Sequence, residues 1–552
     1  MSVKRNIILS ALCCGILLCS ASCVKVDYRL GYSLVSDETV YTTAVTSIPI
    51  DSLYCAKLDS LSGYSLLRMT IGAIRDQDFG VTARTAAFAL VPFSDTLNWG
   101  DNIEFHRFHI EAKRDTLSFY NESDHHIIQQ IHAFELLFPI DSTRRFNTEL
   151  KRDMFRGRPE VTRNGCMYAG EDSLILDLSE EFAWKYFREG KVEVIDSLSH
   201  FLKERPGVFL CTDDPVGNGG RINFFEVAAK ISTNAVLTGS YASLDFSADY
   251  VRNGKTVRVD TSFLFALGAS TISRVETTYM SFNCAEHESD KMSYGEKMRL
   301  DGKDMFLVGD RAKVEGGAGI KPLVRSRDIR RLTLKALREA GVEEAIGNLD
   351  AAFKQKRIII NRATIVLPYE SPADYKMLKF YPSILNPTMR LSKKDSVVYA
   401  GLTDSGIGDA NQGNIDYDVM SYHPDISHHL QYIMGTDSPD TLTMENVWFM
   451  SLATETTTVQ SSAATDYSTQ LAYLNYYNSI LNGSSYGSSY DNYYNYYMMQ
   501  QMYSSMYSGS TTKSADVLDR DRYYNATLYG PKSPGPVPRL EITYSYLKPQ
   551  KE

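Results

Sequence analysis

Apolar and polar residues alternate strictly in several segments of this chain. In 539–547 (RLEITYSYL), leucine, isoleucine and two tyrosines take every second position, and 243–250 (SLDFSADY) has the same pattern. Successive side chains of a strand point to opposite faces of a sheet, so a period of two predicts strands with one buried and one solvated face. Such strands form antiparallel sheets that pack face to face around a core. The pattern therefore predicts a mainly β fold.

The two halves of the chain repeat one order of elements. Each has a strand that runs into an acidic turn (FELLFPID and ATIVLPYE), then a short amphipathic helix ended by glycine, and each closes on an alternating strand. We therefore predict two tandem antiparallel β-sandwich domains, jelly-roll-like and with a few short helices, at 41–300 and 301–552. The helices are predicted over 178–187, Ser326–Ala340 and Asp425–Met434.

A low-complexity insert interrupts the second predicted domain at 454–515. It is rich in Tyr, Ser, Asn, Gly and Met and almost uncharged, a composition that does not support a packed core of its own. We expect either a disordered loop or an adhesive surface, since tyrosine supplies a large contact area with few rotatable bonds. The insert contains a G-x-S-x-G match at 483–487, but no strand precedes it, so we do not expect a serine hydrolase.

An export signal is predicted at the N-terminus. Two basic residues precede the apolar run Ile7–Leu18, and small residues lead directly into Cys23. The run is shorter than the roughly 20 residues that span a bilayer, so we expect it to be cleaved. Small residues before a cysteine resemble a bacterial lipoprotein signal. This predicts a signal peptide at 1–22, lipidation at Cys23 and a tether at 23–40.

Composition limits the possible partners. The formal net charge is −9, which argues against nucleic-acid binding because that depends on clustered Lys and Arg. No later apolar run reaches 18 residues, so we expect lipid to hold the protein at the membrane. Four cysteines follow the signal and form no C-x-x-C pair, so they are either buried thiols, as we expect, or two disulfides. They are Cys55, Cys166, Cys211 and Cys284.

The glycine-rich acidic loop at 404–418 is a weak calcium candidate. Carboxylate and amide oxygens at alternating positions suit calcium, and the candidate ligands are Asp404, Asp409, Asn411, Asp416 and Asp418. The EF-hand spacing fails, however, so a solvated acidic loop is the alternative. The cluster 286–290 (EHESD) is not expected to bind a metal, because adjacent strand residues point to opposite faces. We expect no cofactor, and we also expect His106 and His109 to lie on opposite faces of one strand.

Tripeptides of the form Asp-Ser/Thr-Leu/Val recur along the chain, for example at 51–53 and 95–97. They fit turn chemistry, in which Asp and Ser or Thr side chains hydrogen-bond the backbone before a strand. They also resemble acceptors of a bacterial O-glycosylation system that modifies exported proteins. Both interpretations stay open.

Several motifs together resemble the domain-of-unknown-function 4270 family, which consists of lipoproteins of Gram-negative bacteria. They are the lipoprotein cysteine followed by short strands, 72–83 (GAIRDQDFGVTA), 259–263 (VDTSF) and 282–290 (FNCAEHESD). The resemblance covers most of residues 23–450 and the last strand, and excludes the insert. It implies an outer-membrane location and supports the β fold. It implies no catalytic residue, because the family carries no catalytic motif that could be transferred.

These observations predict a lipid-anchored protein of the cell envelope that binds or scaffolds and is not an enzyme. In one version it is an accessory subunit of an outer-membrane complex, for nutrient import or for assembly of membrane proteins, and the insert contacts a protein partner. In the other version it binds a glycan at the cell surface. A hydrolase on a β-sandwich scaffold is a less favoured alternative.

Overall fold

The computed structural model describes residues 41–58, 61–64, 68–115, 127–140, 146–227, 229–231, 237–268, 281–287, 305–393, 396–406, 412–436, 445–459 and 511–547. Within these ranges the chain is mainly β, with several antiparallel sheets and few helices, which confirms the predicted class. The arrangement as two tandem jelly-roll-like sandwiches stays a prediction.

The described strands follow one another closely along the chain. They are β1 (Tyr41–Pro49), β2 (Tyr54–Lys57), β3 (Arg68–Asp76), β4 (Gly80–Phe88), β5 (Leu90–Pro92), β6 (Thr96–Asn98), β7 (Asp101–Lys113), β8 (Gln129–Glu135), β9 (Cys166–Tyr168), β10 (Ser173–Leu178), β11 (Val192–Val194), β12 (Val208–Thr212), β13 (Gly219–Glu226), β14 (Ala229–Ile231), β15 (Leu237–Gly239), β16 (Tyr241–Arg252), β17 (Lys255–Leu267), β18 (Ser281–His287), β19 (Met305–Leu307), β20 (Arg311–Glu315), β21 (Ile320–Arg325), β22 (Ile358–Pro368), β23 (Ile384–Lys393), β24 (Ser396–Gly401), β25 (Ile415–Asp416), β26 (Ser421–Tyr422), β27 (Asn446–Val459), β28 (Thr511–Leu518), β29 (Asn525–Tyr529) and β30 (Arg539–Leu547).

The described helices are short apart from one. They are α1 (Glu180–Trp184), α2 (Leu198–Glu204), α3 (Ser326–Glu339), α4 (Val342–Ile346), α5 (Leu349–Lys354) and α6 (Ser427–Gly435), with 3₁₀ turns at Arg152–Met154, Tyr375–Phe380 and Thr403–Gly406. The predicted helix over Ser326–Ala340 is confirmed as α3, and the one over Asp425–Met434 as α6. The helix predicted over 178–187 is only α1, because Leu178 ends strand β10 and Ser179 caps the helix by accepting the Phe182 amide N–H.

Two antiparallel sheets form the N-terminal part. One has the order β13-β3-β4-β12-β8-β9, with β18 also paired to β4, and the other has the order β10-β7-β16-β17-β5. Both contribute to one buried cluster, which includes Ile71 of β3, Ile131 of β8, Phe108 of β7 and Leu244 of β16. Trp99 is fully buried in the same cluster. The apolar faces of the two sheets therefore pack against each other, as the alternation predicts.

The C-terminal part contains two further large sheets and the helix α3. The sheets have the orders β1-β30-β22-β26-β25 and β19-β2-β21-β27-β23-β24, with β28 also paired to β27. A second buried cluster contains Ile365 of β22, Val324 of β21, Phe449 of β27 and Leu332 of α3. The apolar stripe of α3 therefore packs into the core that the strands share.

The first two described strands belong to the sheets of the C-terminal part. Strand β1 pairs with β30 along its whole length, and β2 pairs with β19 and β21. The domain boundary that we predict between residues 300 and 301 stays a prediction. The strand pairing places 41–57 with the later sheets.

The low-complexity insert begins later and ends earlier than expected. Strand β27 continues to Val459, and β28 begins at Thr511, and the two strands pair from Leu452 opposite Leu518 to Val459 opposite Thr511. The expectation of a loop from 454 onwards is therefore wrong at both ends. The run of threonines in 454–459 explains the extension, because β-branched residues favour strands. Residues 460–510 lie outside the described residues.

All four cysteines after Cys23 are buried and free. Burial raises the pKa of the Cys55, Cys211 and Cys284 thiols to about 12 and that of Cys166 to about 11. The thiolate is the reactive form, so these side chains are chemically inert in the folded state. The expectation of buried thiols is confirmed for these residues.

Iodoacetamide at pH 8 should therefore leave all four thiols unmodified in the native protein and modify all four in urea. Peptide mass spectrometry measures the modified fraction at each position. Val216→Cys is the control, because Val216 is fully exposed and its replacement should react within minutes. Rapid modification of Cys211 in the native protein would contradict the burial of its thiol.

Candidate ligand-binding cleft

A polar cleft opens beside strands β8, β12 and β18, with a volume of about 670 Å³. The segment 148–160 forms much of its lining and includes the 3₁₀ turn Arg152–Met154. Phe155 follows that turn and is fully buried, with its ring stacked 3.9 Å from the ring of Phe209 on β12. This aromatic contact holds the polar segment against the sheet.

His132 of β8 lies between two carboxylates of the cleft. Its Nδ1 is 2.8 Å from Glu160 Oε1, and its Nε2 is 3.1 Å from Asp213 Oδ2, an ion-pair distance without hydrogen-bond alignment. Burial lowers the pKa of His132, but the two carboxylates together outweigh burial and raise it. The geometry therefore favours an imidazolium that pairs with both acids.

Arg152 has the same role for the other pair of acids in the cleft. Its Nη1 donates to Asp214 Oδ1 at 2.5 Å, and both its backbone N–H and its Nε donate to Glu286 Oε1, at 2.7 and 3.3 Å. Burial lowers the pKa of Arg152, but Glu286 and Asp214 raise it above its usual value. Arg152 thereby connects the segment 148–160 to β18 and to the turn after β12.

Three more cations of the cleft lie on the segment 148–160. Arg156 pairs with Asp153 at 3.4 Å, and both are largely exposed. Lys151 and Arg158 are also exposed, and no hydrogen bond or ion pair within the described residues holds either side chain. All five carboxylates of the cleft are thus paired, whereas two of its cations have no partner in the described part of the chain.

A buried polar network adjoins the cleft at His287 of β18. His287 Nδ1 is 2.5 Å from Glu315 Oε1, and Arg84 Nη1 is 3.4 Å from His287 Nε2. An arginine can only donate, so Nε2 accepts and the Nδ1–H donates to Glu315, which makes the imidazole neutral. Burial lowers the pKa of His287 to about 4, although Glu315 opposes this.

Glu315 of β20 is the acceptor at the centre of this network. It also accepts from the Thr82 hydroxyl at 3.0 Å and from the Ile320 amide at 3.1 Å. Burial would raise the pKa of Glu315, but His287, Lys321 and the Ile320 amide hold it at about 2. Thr82 lies on β4 of the N-terminal part, so the network joins the two parts of the chain.

The calcium candidates are only partly described. Asp404 accepts the backbone N–H groups of His428 and His429 at the start of α6, the second at 3.2 Å. Asp416 accepts the N–H of Asp418 at 2.9 Å in a turn. These two carboxylates therefore serve backbone groups, as helix cap and turn residue. Asp409 and Asn411 lie outside the described residues, so the calcium site stays a prediction.

The structure describes part of the acidic cluster 286–290, which the sequence did not favour as a metal site. Within the described ranges, no group of three or more His, Cys, Asp or Glu residues is arranged to hold a metal ion. Glu286 binds Arg152 whereas the adjacent His287 binds Glu315, so neighbouring residues of this cluster have separate partners. Glu288 and Asp290 lie outside the described residues, and so does Cys23.

The expectation that His106 and His109 lie on opposite faces is wrong. His106 Nε2 contacts Ser247 Oγ at 2.5 Å, and His109 Nδ1 lies 3.8 Å from Asp245 Oδ2. Asp245 and Ser247 are two residues apart on β16 and share its outer face. The pairing of β7 with β16 skips His106, and this bulge turns His106 to the outer face on which His109 already lies.

Sequence reasoning did not find the cleft. Its residues come from segments that are far apart in the chain, and only the tertiary structure brings them together. Two parts of the cleft are visible in the sequence alone. They are the basic run 151–158 (KRDMFRGR) and the acidic pair 213–214, which directly follows a strand. Each of these also fits an ordinary solvated surface, so neither predicts a site by itself.

Comparisons with protein-family models, with curated proteins and with solved structures found no match to this chain. The resemblance to the domain-of-unknown-function 4270 family therefore stays a prediction. Across the described ranges, no helix combines the length and the apolar character that crossing a membrane requires.

Proposed function

We propose that this chain is an exported lipoprotein that is anchored at Cys23 and acts as a binding or scaffolding module of an outer-membrane complex. The observation that carries the proposal is the open polar cleft, in which each carboxylate already has a cationic partner. Both ring nitrogens of His132 face carboxylates of the protein, so neither is directed at a ligand as a general base must be. The cleft thus favours binding over catalysis.

A hydrolase is less favoured for a specific reason. Glycoside hydrolysis needs one carboxylic acid that gives a proton and a second carboxylate that attacks or activates water. Glu160 and Asp213 instead share the imidazole of His132, and Asp214 and Glu286 share the guanidinium of Arg152. In each pair both carboxylates are therefore engaged by one cation of the protein.

Photo-crosslinking in cells tests the binding role. p-Benzoylphenylalanine placed at Asp153, on the lip of the cleft, should give a crosslinked product after irradiation, because a ligand in the cleft lies within its reach. The same group at Val251, which is exposed but does not line the cleft, is the control. A protein product supports the scaffolding version and a glycan product the carbohydrate-binding version. Equal products at both positions, or none, would contradict the proposal.

The lipid anchor has its own test. Cys23→Ala should abolish incorporation of radiolabelled palmitate and release the protein from the membrane fraction, because two or more acyl chains are needed for stable attachment. Cys19→Ala, within the predicted signal peptide, is the matched control and should leave labelling unchanged. Palmitate in the Cys23→Ala protein would remove the anchor from the proposal.

A further inference from the structure

We infer that the cleft binds a saccharide that carries carboxylate groups, with Lys151 and Arg158 as the ligands of a carboxylate. The inference rests on the proposed binding function and specifies its ligand. Both cations lie on the segment 148–160 and line the cleft together with Arg152, whose side chain is already bound to Asp214 and Glu286. Since neither has a partner in the part of the chain that the structure describes, each can bind a group of the ligand.

The pairing of charges in the cleft leaves two cations open to an anion of the ligand. Three cations contact all five carboxylates, so each acid has an ion-pair partner: His132 holds Glu160 and Asp213, Arg152 holds Asp214 and Glu286, and Arg156 holds Asp153. Lys151 and Arg158 have no such partner among the described residues. A ligand carboxylate that reaches either cation would gain a charge-assisted hydrogen bond, which is stronger than a hydrogen bond between neutral groups.

The remaining lining points to a hydroxyl-rich ligand. Small-molecule pockets are usually lined by apolar side chains, yet here only Phe134, Cys211 and Ala285 are apolar. Asp213 and Asp214 remain partly exposed and can still accept hydrogen bonds, whereas Lys151 and Arg158 can only donate. Sugar hydroxyl groups both donate and accept, so they match a lining of mixed character better than an apolar peptide would.

The five carboxylates also limit how much negative charge the ligand can carry. A dense polyanion such as nucleic acid would meet them at close range, and the chain as a whole is acidic, with a net charge of −9. A saccharide with spaced carboxylates places its charges against the unpaired cations and its hydroxyl groups against the acids. The basic run 151–158 within an acidic chain would also attract such a ligand at a distance, and salt would weaken that attraction.

Calorimetric titration of the full-length protein with a panel of oligosaccharides tests the inference. The probes are oligogalacturonate, alginate oligomers and hyaluronan oligomers, each with its methyl ester as an uncharged match. At least one acidic probe should bind, its ester should not, and 0.5 M NaCl should weaken binding. Lys151→Gln with Arg158→Gln should weaken binding about tenfold or more for each cation removed.

Arg252→Gln with Lys255→Gln is the matched control, because these exposed cations lie at the turn between β16 and β17 and not in the cleft. That variant should bind like the wild type. Equal binding of acid and ester, full affinity in the Lys151/Arg158 variant, no binding by any acidic probe, or tighter binding of polyglutamate would each overturn the inference. The proposed function would survive any of these results if the crosslink at position 153 still forms, and would fall with it if that crosslink is absent.

Discussion

Glu315→Gln should lower the free energy of unfolding by about 3–5 kcal/mol, because it removes the one carboxylate at the centre of a fully buried network. The substitution keeps the shape of the side chain. In the native chain Oε1 accepts from His287 and Thr82 and Oε2 accepts from the Ile320 amide. With glutamine, the side-chain NH₂ group would face one of these hydrogen-bond donors instead of accepting from it. The ammonium group of Lys321 would also lose its nearby anion. Urea denaturation at pH 7 measures the change.

Glu541→Gln is the matched control for this substitution. Glu541 pairs with Arg539 on the surface, where both side chains are about 40% exposed, so the loss should stay below about 1 kcal/mol. A Glu315→Gln protein that unfolds within 1 kcal/mol of the wild type would show that the network does not need its charge. Because the network joins β4 and β18 to β20 and β21, such a result would also remove it as a major link between the two parts of the chain.

Acid should destabilise the protein between pH 6.5 and 4, by up to about 3 kcal/mol for each of two buried histidines. Burial lowers the pKa of His287 and of His429 to about 4. The unfolded chain therefore takes up these protons near pH 6.5, whereas the folded chain resists them until about pH 4. Their contribution to stability is complete above pH 6.5 and is lost as the pH falls. Urea denaturation across this range measures the loss.

The pH effect can be assigned with one substitution. His429 lies in α6, where its Nε2 is 3.1 Å from the Ser326 hydroxyl and its amide binds Asp404. His429→Gln should reduce the loss between pH 6.5 and 4 by up to about 3 kcal/mol, whatever its effect at pH 7. His200→Gln should leave the loss unchanged, because His200 is largely exposed on α2. An unchanged pH profile in His429→Gln would show that this histidine is already charged in the folded state.

Individual elements differed in how well the sequence predicted them. The alternating segments 243–250 and 539–547 lie within β16 and β30, and the apolar stripe of Ser326–Ala340 forms α3. Local pattern was sufficient there because each element places one apolar face against a core. The helix predicted over 178–187 was too long, because pairing of β10 with β7 takes Leu178 into a sheet. The bulge at His106 could not be predicted, because the alternation of apolar and polar residues in β7 does not reveal it.

The candidate site was beyond sequence reasoning for a physical reason. His132, Arg152, Asp213 and Glu286 come from four separate segments, and each of them alone has the features of an ordinary surface residue. Their roles follow from distances of a few ångströms between strands β8, β12 and β18. Hydrogen bonds and ion pairs depend on such distances, and spacing along the chain does not determine them.

The amino-acid sequence by itself determined the β class, the position of the main strands and of α3, and a leader that predicts a lipid anchor, because each depends on the character and spacing of neighbouring residues. Only the tertiary structure decided that β1 and β2 join the sheets of the C-terminal part, that Glu315 is buried against His287, and that two cations of the cleft lack a partner among the described residues. Those features depend on which distant segments meet. That choice is made by the packing of whole apolar faces and has no local signature.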